Sequence, residues 1–313
     1  MNPLPTHTTP TTWVYVRPTD SLFVRGNLAF GDSGEHGASL MPPPPSLFAG
    51  AFRSALLGND AEQLAAFVQN GQCSHPALAQ CLGTPQAPGD FRLTWLSMAG
   101  QSGHVSGASR GAVPEAISSL PADLLVLGNT FATLAPRAVP DGVQSAGDLP
   151  MRPTLVFAKQ EKPKGGVWLR QSGLAQHLAG KLPADSAQVE SKHLFQRDPR
   201  LGIGLNEQAR TAEEGLIYTT EGFAFSPPRT LVANSQVKNA SAAFPASSGV
   251  IDFESTGFLI GLDGVQVLLP EEGVLRLGGD GRSAHYRRVE FKPPVATDIP
   301  GKRGSFQLIL QTP

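Results

Sequence analysis

WVYVRPTDSLFVRGNLAF, residues 13–30, and MPPPPSLFAGAFRSALL, residues 41–57, decide the fold of this chain. Trp13, Tyr15 and Arg17 alternate with Val14 and Val16, which predicts a strand whose two faces meet different surroundings. Pro18 ends that run, and Thr19-Asp20 fits a turn. Four consecutive prolines, Pro42–Pro45, exclude a central strand or a helix interior and force an extended approach to the next element. That element is a helix. Ser46 is expected as its N-cap, and Leu47, Phe48, Ala51, Phe52, Ala55 and Leu56 recur at helical spacing as a broad buried face. Ser46, Gly50 and Arg53 fall together on the other side. A hydroxyl, a position without a side chain and a cation beside free helix N–H groups form a seat for a phosphate. The same residues also suit an ordinary capped amphipathic helix, with Gly50 packed against a neighbouring strand.

The chain has 313 residues, 40% of them hydrophobic. That is enough for one large domain or two ordinary ones. Its 34 glycines and 28 prolines are interleaved with apolar runs, which reads as many turns within a folded protein. The formal charge of −1 excludes a surface that is basic throughout, so any nucleic-acid site is local. Cys73 and Cys81 are the two cysteines. Metal spacing is not met, and a disulfide between them is allowed by count alone. The first dozen residues lack the charged start and apolar core of a signal peptide. No run is long enough to cross a membrane. The expectation is a cytoplasmic protein with no metal and no cofactor.

Further along, residues 1–12 read as a disordered tip and 31–39 as a loop. Asp60 with Gln63, or Asn59 with Glu62, forms a capping box for a second helix that buries Leu64, Phe67 and Val68 and stops at Gly71. Phe91 to Gly100 predicts a strand, Pro114 to Ser119 a short helix, Ala122 to Asn129 a strand, and residues 134–153 a long connection. Leu155 to Leu169 suggests an arm carrying Lys159, Lys162 and Lys164, and Leu174 to Leu178 a short helix. Strands are expected at 215–225, in TGFLIGLDG and VQVLLP, on both sides of Gly278–Gly281, and at Phe306 to Leu310. Residues 237–249 read as a loop. A boundary near residue 185 separates two related α+β domains, 10–185 and 186–313.

Two further groups carry candidate chemistry. GGDGRSAHYRR supplies Gly278, Gly279, Asp280 and Gly281 as a loop, with Arg282, Arg287 and Arg288 beside it. Glycines let backbone approach a phosphate, and arginines fork onto its oxygens. The same residues fit a plain β-hairpin turn. Arg197, Arg200 and Arg210 form a second basic group, with Asp198, Glu207, Glu213 and Glu214 beside them as salt-bridge partners. No catalytic residue is assigned. His36 and His285 are the only histidines near these groups, and the usual sheet signature of RNA-stacking aromatics is missing.

The pattern RPTDSLFVRGNLAFG followed by PPPPSLFAGAFRSALL resembles the third-subunit family of the Cmr complex in type III-B CRISPR systems, a branch of the RAMP proteins. RDPRLGIGLNEQARTAEEGLIYTTEGFAF, residues 197–225, is similar to the family's middle signature. GVLRLGGDGRSAHYRRVEF, residues 273–291, is similar to its glycine-rich loop. The resemblance implies two ferredoxin-like (RRM-like) domains with long loop insertions. It implies a non-catalytic subunit that holds the 5′ repeat-derived tag of the guide RNA. That subunit docks on a large polymerase/cyclase-like subunit and a neighbouring RAMP backbone subunit. On this chain Arg17, Ser46, Gly50, Arg53 and Gly278 to Arg282 correspond to the tag clasp. Two alternatives stand beside it: a metal-free RAMP endoribonuclease using His36 or His285, and a protein-only scaffold docking through Pro42–Pro45. VRGNLAF lacks an acidic residue the family usually carries before the glycine. Relatives also continue past LILQTP, so either the subunit is trimmed here or the chain is incomplete.

Overall fold

A computed structural model describes residues 10–24, 36–37, 39–58, 60–101, 113–138, 151–154, 161–206, 208, 210–225 and 253–294. Along the chain the elements are β1 (Thr12–Pro18), β2 (His36–Gly37), α1 (Pro45–Gly58), α2 (Ala61–Asn70), α3 (Pro76–Leu82), β3 (Arg92–Gln101), β4 (Glu115–Ser119), β5 (Leu124–Leu127), β6 (Thr130–Thr133), β7 (Ala135–Ala138), β8 (Met151–Thr154) and β9 (Val167–Arg170). Then come α4 (Gln171–Leu178), β10 (Gln188–Glu190), β11 (Gln196–Leu205), β12 (Ala212–Ala224), β13 (Ser255–Asp263), β14 (Glu272–Leu277) and β15 (Arg282–Arg288). The class is α+β, and its described strand pairs are antiparallel except β2 with β12. Described residues up to Pro114 and from Lys192 to Phe291 form one unit, and those from Glu115 to Ser191, with the described residues after Phe291, form a second.

In the first unit the sheet order is β3-β13-β1-β15-β14, every pair antiparallel. The alternation along β1 fixes what each face does. Val14 and Val16 pair with Ile260 and Phe258 on β13 and with Arg288 and Tyr286 on β15. Helix α1 lies against this face. Phe48 packs on Phe258 with ring centroids 4.9 Å apart, and Phe52 meets Tyr286 edge-on at 5.7 Å. Both phenylalanines are fully buried, so each contributes roughly 1.5–3 kcal/mol of apolar burial. Tyr15, Arg17, His285 and Arg287 therefore project from the opposite face. A separate ribbon pairs β11 with β12, and β2 adds in parallel at Thr219 and Thr220. The ribbon exposes Leu201, Ile203 and Leu205.

The second unit has a β10-β9-β4 sheet, the β5–β6 hairpin, the β7–β8 pair and α4. Leu124, Val126, Phe131, Val167, Leu169 and Leu174 form its core. Gly128, at φ +58°, and Asn129 make the two-residue hairpin turn between β5 and β6, the geometry that favours glycine.

Several expectations are corrected. Helix α1 begins at Pro45, so Ser46 sits inside the first turn and is not the N-cap. Proline is tolerated at a first helical position because its missing N–H would have no helical partner there. Among the described residues nothing lies within contact of Gly50, so it packs against none of their strands. Helix α2 is capped by Asp60, which accepts from the Glu62 and Gln63 amides, and ends at left-handed Gly71. Its apolar side is not buried: Leu64 is 40% and Val68 75% exposed. Residues 115–119 form a strand, because pairing with β9 outweighs the helical preference of so short a segment. Val265 to Leu269 is a turn, closed by the Leu268 and Leu269 amides on the Val265 carbonyl. The connection at 134–153 contains β7 and most of β8. Helix α3 was not anticipated. Both cysteines are free. The expected strand at 306–310, the loop at 237–249 and Lys159 lie outside the described residues.

Candidate functional site

The expected site residues separate onto three surfaces of the first unit. Ser46, Gly50 and Arg53 are all exposed on the outer side of α1, and Arg53 lies over the Phe91 ring at 4.8 Å. This side faces away from the sheet, because the inner side of α1 holds Phe48 and Phe52 on Phe258 and Tyr286. Arg17 projects from the opposite face of that sheet and so does not join them.

The second surface is the corner made by the glycine hairpin. Gly278 has φ +78°, and a Cβ there would stand 2.6 Å from the Phe23 carbonyl oxygen. Only glycine fits that approach without strain. The Gly279 N–H donates to the Phe23 carbonyl at 2.8 Å, so this amide is engaged within the fold. Arg282 donates to Asp20 at 2.8 Å, and Arg200 donates to Asp198 at 2.7 Å and lies 3.7 Å from Asp20. Both guanidiniums stand over Phe23, at 5.2 Å for Arg200 and 5.9 Å for Arg282. The Ser21 hydroxyl donates to Asp198. That bond, with the Arg200 guanidinium, holds the Asp198 carboxyl below its ordinary range. Arg197 pairs with Glu221 at 3.3 Å. The salt-bridged reading of this basic group is what the geometry shows. Arg210, at φ +53°, turns the ribbon tip instead.

The third surface is a cleft of about 930 Å³ on the face of the sheet opposite α1. Cross-strand register places Arg17 beside His285 and Tyr15 beside Arg287. Among the described residues the exposed Arg17 side chain has no hydrogen-bond or ion-pair partner. A polar chain runs along the floor. The Tyr15 hydroxyl lies 3.2 Å from Ser255 Oγ, Ser255 donates to Gln101 Oε1 at 3.4 Å, and Arg287 donates to the same oxygen at 3.2 Å. The Arg287 guanidinium stands 5.7 Å from the Tyr15 ring centroid. Burial pushes the Tyr15 phenol up to about 12, although Ser255, Arg17 and Arg287 all pull it down. Carboxylates from Glu254, Glu271 and Glu272 line the rim.

Adjacent arginines diverge. Arg287 belongs to the cleft network, whereas Arg288 donates to the backbone carbonyls of Gln266, at 2.7 Å, and Leu269. It also pairs with Glu271 at 3.3 Å, and so anchors the turn after β13. The hairpin arginines are thus not one cluster. The side chains of His36 and Asp280 lie outside what is described. Among the described residues no group of three or more His, Cys, Asp or Glu is placed to hold a metal ion, and no helix is long and apolar enough to cross a membrane.

Tyr15, Gln101, Ser255, Asp20 and Phe23 were not singled out from the sequence. The alternation that placed Tyr15 on the face of Arg17 was visible there. Gln101 and Ser255 carried no signal, since their contact joins residues 154 positions apart.

A family model described as CRISPR-associated protein (Cas_Cmr3) matches residues 14–313. No curated protein matches the chain. Solved structures supply weak likenesses. A chain of the type III-B Cmr-beta complex bound to cognate target RNA and AMPPnP shares 14% identity at a TM-score of 0.42, covering 90% of this chain and 64% of its own. A chain of the same complex bound to cognate target RNA shares 13% at 0.40, with the same coverage. A chain of its apo state shares 9% at 0.35, covering 90% of this chain and 97% of its own. The present chain thus spans less than two thirds of the first two.

Proposed function

The chain belongs to the CRISPR-associated Cas_Cmr3 family, the family of an antiviral type III-B Cmr effector subunit, and from that premise we propose that it binds the repeat-derived 5′ tag of the guide RNA without cleaving it. It docks on the large polymerase/cyclase-like subunit and a neighbouring RAMP backbone subunit, in the cytoplasm, through a chain built of two ferredoxin-like domains. The observation that carries the reading is Arg17. It is an exposed guanidinium without a partner among the described residues, set beside His285 in a cleft. A cation so placed favours a phosphate, whose neutralisation supplies sequence-independent affinity. Ser46, Gly50 and Arg53 on α1, and Arg197, Arg200 and Gly278 to Arg282 at the hairpin corner, are proposed as separate RNA contacts on other surfaces of the same unit. Arg287 contributes within the cleft, and Arg288 contributes by holding the turn. The exposed Leu64 and Val68 of α2 support a protein-facing surface.

The test is binding of the purified chain to guide RNA with and without the 5′ tag, by fluorescence anisotropy. Tag-dependent binding that weakens in Arg17→Ala is expected. Equal affinity for tagged and untagged RNA would sink the reading and favour the protein-only scaffold. Metal-free cleavage of repeat RNA, lost in His285→Ala, would favour the endoribonuclease.

A further inference from the structure

We propose that Asp20 is a built-in competitor of RNA at the hairpin corner. Its carboxylate occupies the guanidiniums of Arg282 and Arg200, which exchange it for a phosphate of the bound strand, and so it holds the affinity of that corner below what two free arginines would reach. This rests on the RNA-binding reading above and assigns that surface the residue that tunes it.

Three observations converge. First, two cations share one carboxylate. Arg282 Nη1 donates to Asp20 Oδ2 at 2.8 Å, and Arg200 Nη2 lies 3.7 Å from Asp20 Oδ1. Both guanidiniums stand over the Phe23 ring. A phosphodiester carries the same single negative charge as the carboxylate and accepts from the same guanidinium edges. Arg282 Nε is buried without an acceptor, so Asp20 receives one prong of Arg282 and not the two-pronged grip that makes such pairs strong.

Second, the two aspartates of the corner are held unequally. Asp198 Oδ2 accepts from both Nε and Nη2 of Arg200, at 3.0 and 2.7 Å, and from the Ser21 hydroxyl. Its side chain is 29% exposed. Asp20 receives one direct arginine bond on a side chain 51% exposed. An ion pair this open contributes little, because water solvates the separated charges nearly as well. Asp198 therefore keeps Arg200 aimed, and the contacts to Asp20 are the ones that exchange. Third, the exchange leaves the backbone in place. The Thr19 amide donates to Ser283 of β15 at 3.0 Å, Leu22 is bonded to Phe223 of β12, and Asp20 Oδ1 accepts from the Ser21 amide at 2.7 Å. The turn stays fastened on both sides while the long, partly exposed Arg282 side chain changes partner by rotating its own bonds.

The experiment titrates the purified full chain into fluorescein-labelled guide RNA, with and without the 5′ tag. It compares wild type with Asp20→Asn, Arg282→Ala and the double variant. Asparagine keeps an oxygen for the Ser21 amide and removes the charge. Near-ultraviolet circular dichroism verifies that each variant folds, and Asp20→Ser, which also offers an oxygen at the turn, repeats the test. Asp20→Asn should bind tagged RNA roughly 2- to 5-fold more tightly, since an exposed ion pair no longer has to be broken. In the Arg282→Ala background the same substitution should gain less, and Asp198→Asn should bind no tighter than wild type. Unchanged or weaker binding by the folded Asp20 variants overturns the proposal, as does a gain that is equal without Arg282 or is matched by Asp198→Asn. In each of those cases tag-dependent binding leaves the RNA-binding reading standing. If wild-type protein shows no tag-dependent binding, both fall together.

Discussion

Arg17→Ala and Arg288→Ala remove the same group from neighbouring strands, and their effects should differ in kind. Arg17 has no hydrogen-bond or ion-pair partner among the described residues, so its loss should leave the fold intact and, on the proposed function, remove one phosphate contact. For single-stranded nucleic acid, each neutralised phosphate contributes about 0.7 to the slope of log affinity against log salt. Arg17→Ala should therefore reduce that slope by about 0.7, which narrows the wild-type advantage about 2.5-fold between roughly 50 and 200 mM salt. At fixed low salt, losing one charge-assisted hydrogen bond, about 1.5–3 kcal/mol, should weaken binding about 10- to 150-fold. Arg288→Ala should leave the slope unchanged. It strips the donor from the part-buried carbonyls of Gln266 and Leu269, at about 1–3 kcal/mol in all, and so appears as lost stability. Anisotropy titrations across a salt series, beside thermal melts of both variants, measure the two quantities. A wild-type slope in Arg17→Ala, or a reduced slope in folded Arg288→Ala, would refute the assignment.

Two predictions concern the fold beneath the cleft. Phe52→Ala should destabilise the first unit by about 3–5 kcal/mol, the usual cost of deleting a buried phenylalanine. Arg53→Ala on the exposed side should cost only about 0.5–1 kcal/mol, the worth of its contact with Phe91. Urea titrations followed through Trp13 and Trp95 separate the two, and equal midpoint shifts would show that α1 is not anchored as described. The second concerns alkali. The Tyr15 phenol is pushed from 10.0 up to about 12 in the folded state. A raised pKa contributes stability that is complete below pH 10 and is lost as pH climbs through 12. Among the three tyrosines, burial also raises Tyr286, and ultraviolet titration should show a Tyr15 step near 12 that comes together with unfolding. Tyr15→Phe should abolish that late step.

Much of the core was legible because its signals are local. The alternation of Val14 and Val16 with Tyr15 and Arg17 carries β1, and helical spacing carries α1. Where the chain was misread, local pattern was ambiguous. Glu115–Ser119 and Val265–Leu269 are short apolar runs that fit helix, strand or turn equally well, and only their neighbours decide. Of the cleft residues, Arg17 and Arg287 were singled out in the sequence, but not as neighbours. Arg287 and Arg288 read as one basic cluster, and both line the cleft, yet Arg287 joins Gln101 while Arg288 is tied to the turn after β13. The cleft floor depends on Tyr15, Gln101 and Ser255 meeting from three strands distant in sequence, which no local pattern records.

The short segment from Ser21 to Val24 acts as a buckle. Leu22 exchanges two backbone hydrogen bonds with Phe223 of β12, at 2.8 and 2.9 Å, and the next carbonyl, that of Phe23, receives the Gly279 amide of the hairpin. Ribbon and hairpin are thus fastened to consecutive residues, Leu22 and Phe23. A pull on the ribbon loads the corner where Arg200 and Arg282 share Asp20, and a hairpin that shifts drags the ribbon root with it. Whatever grips either one is felt by the other, without any signal having to cross the core of the sheet.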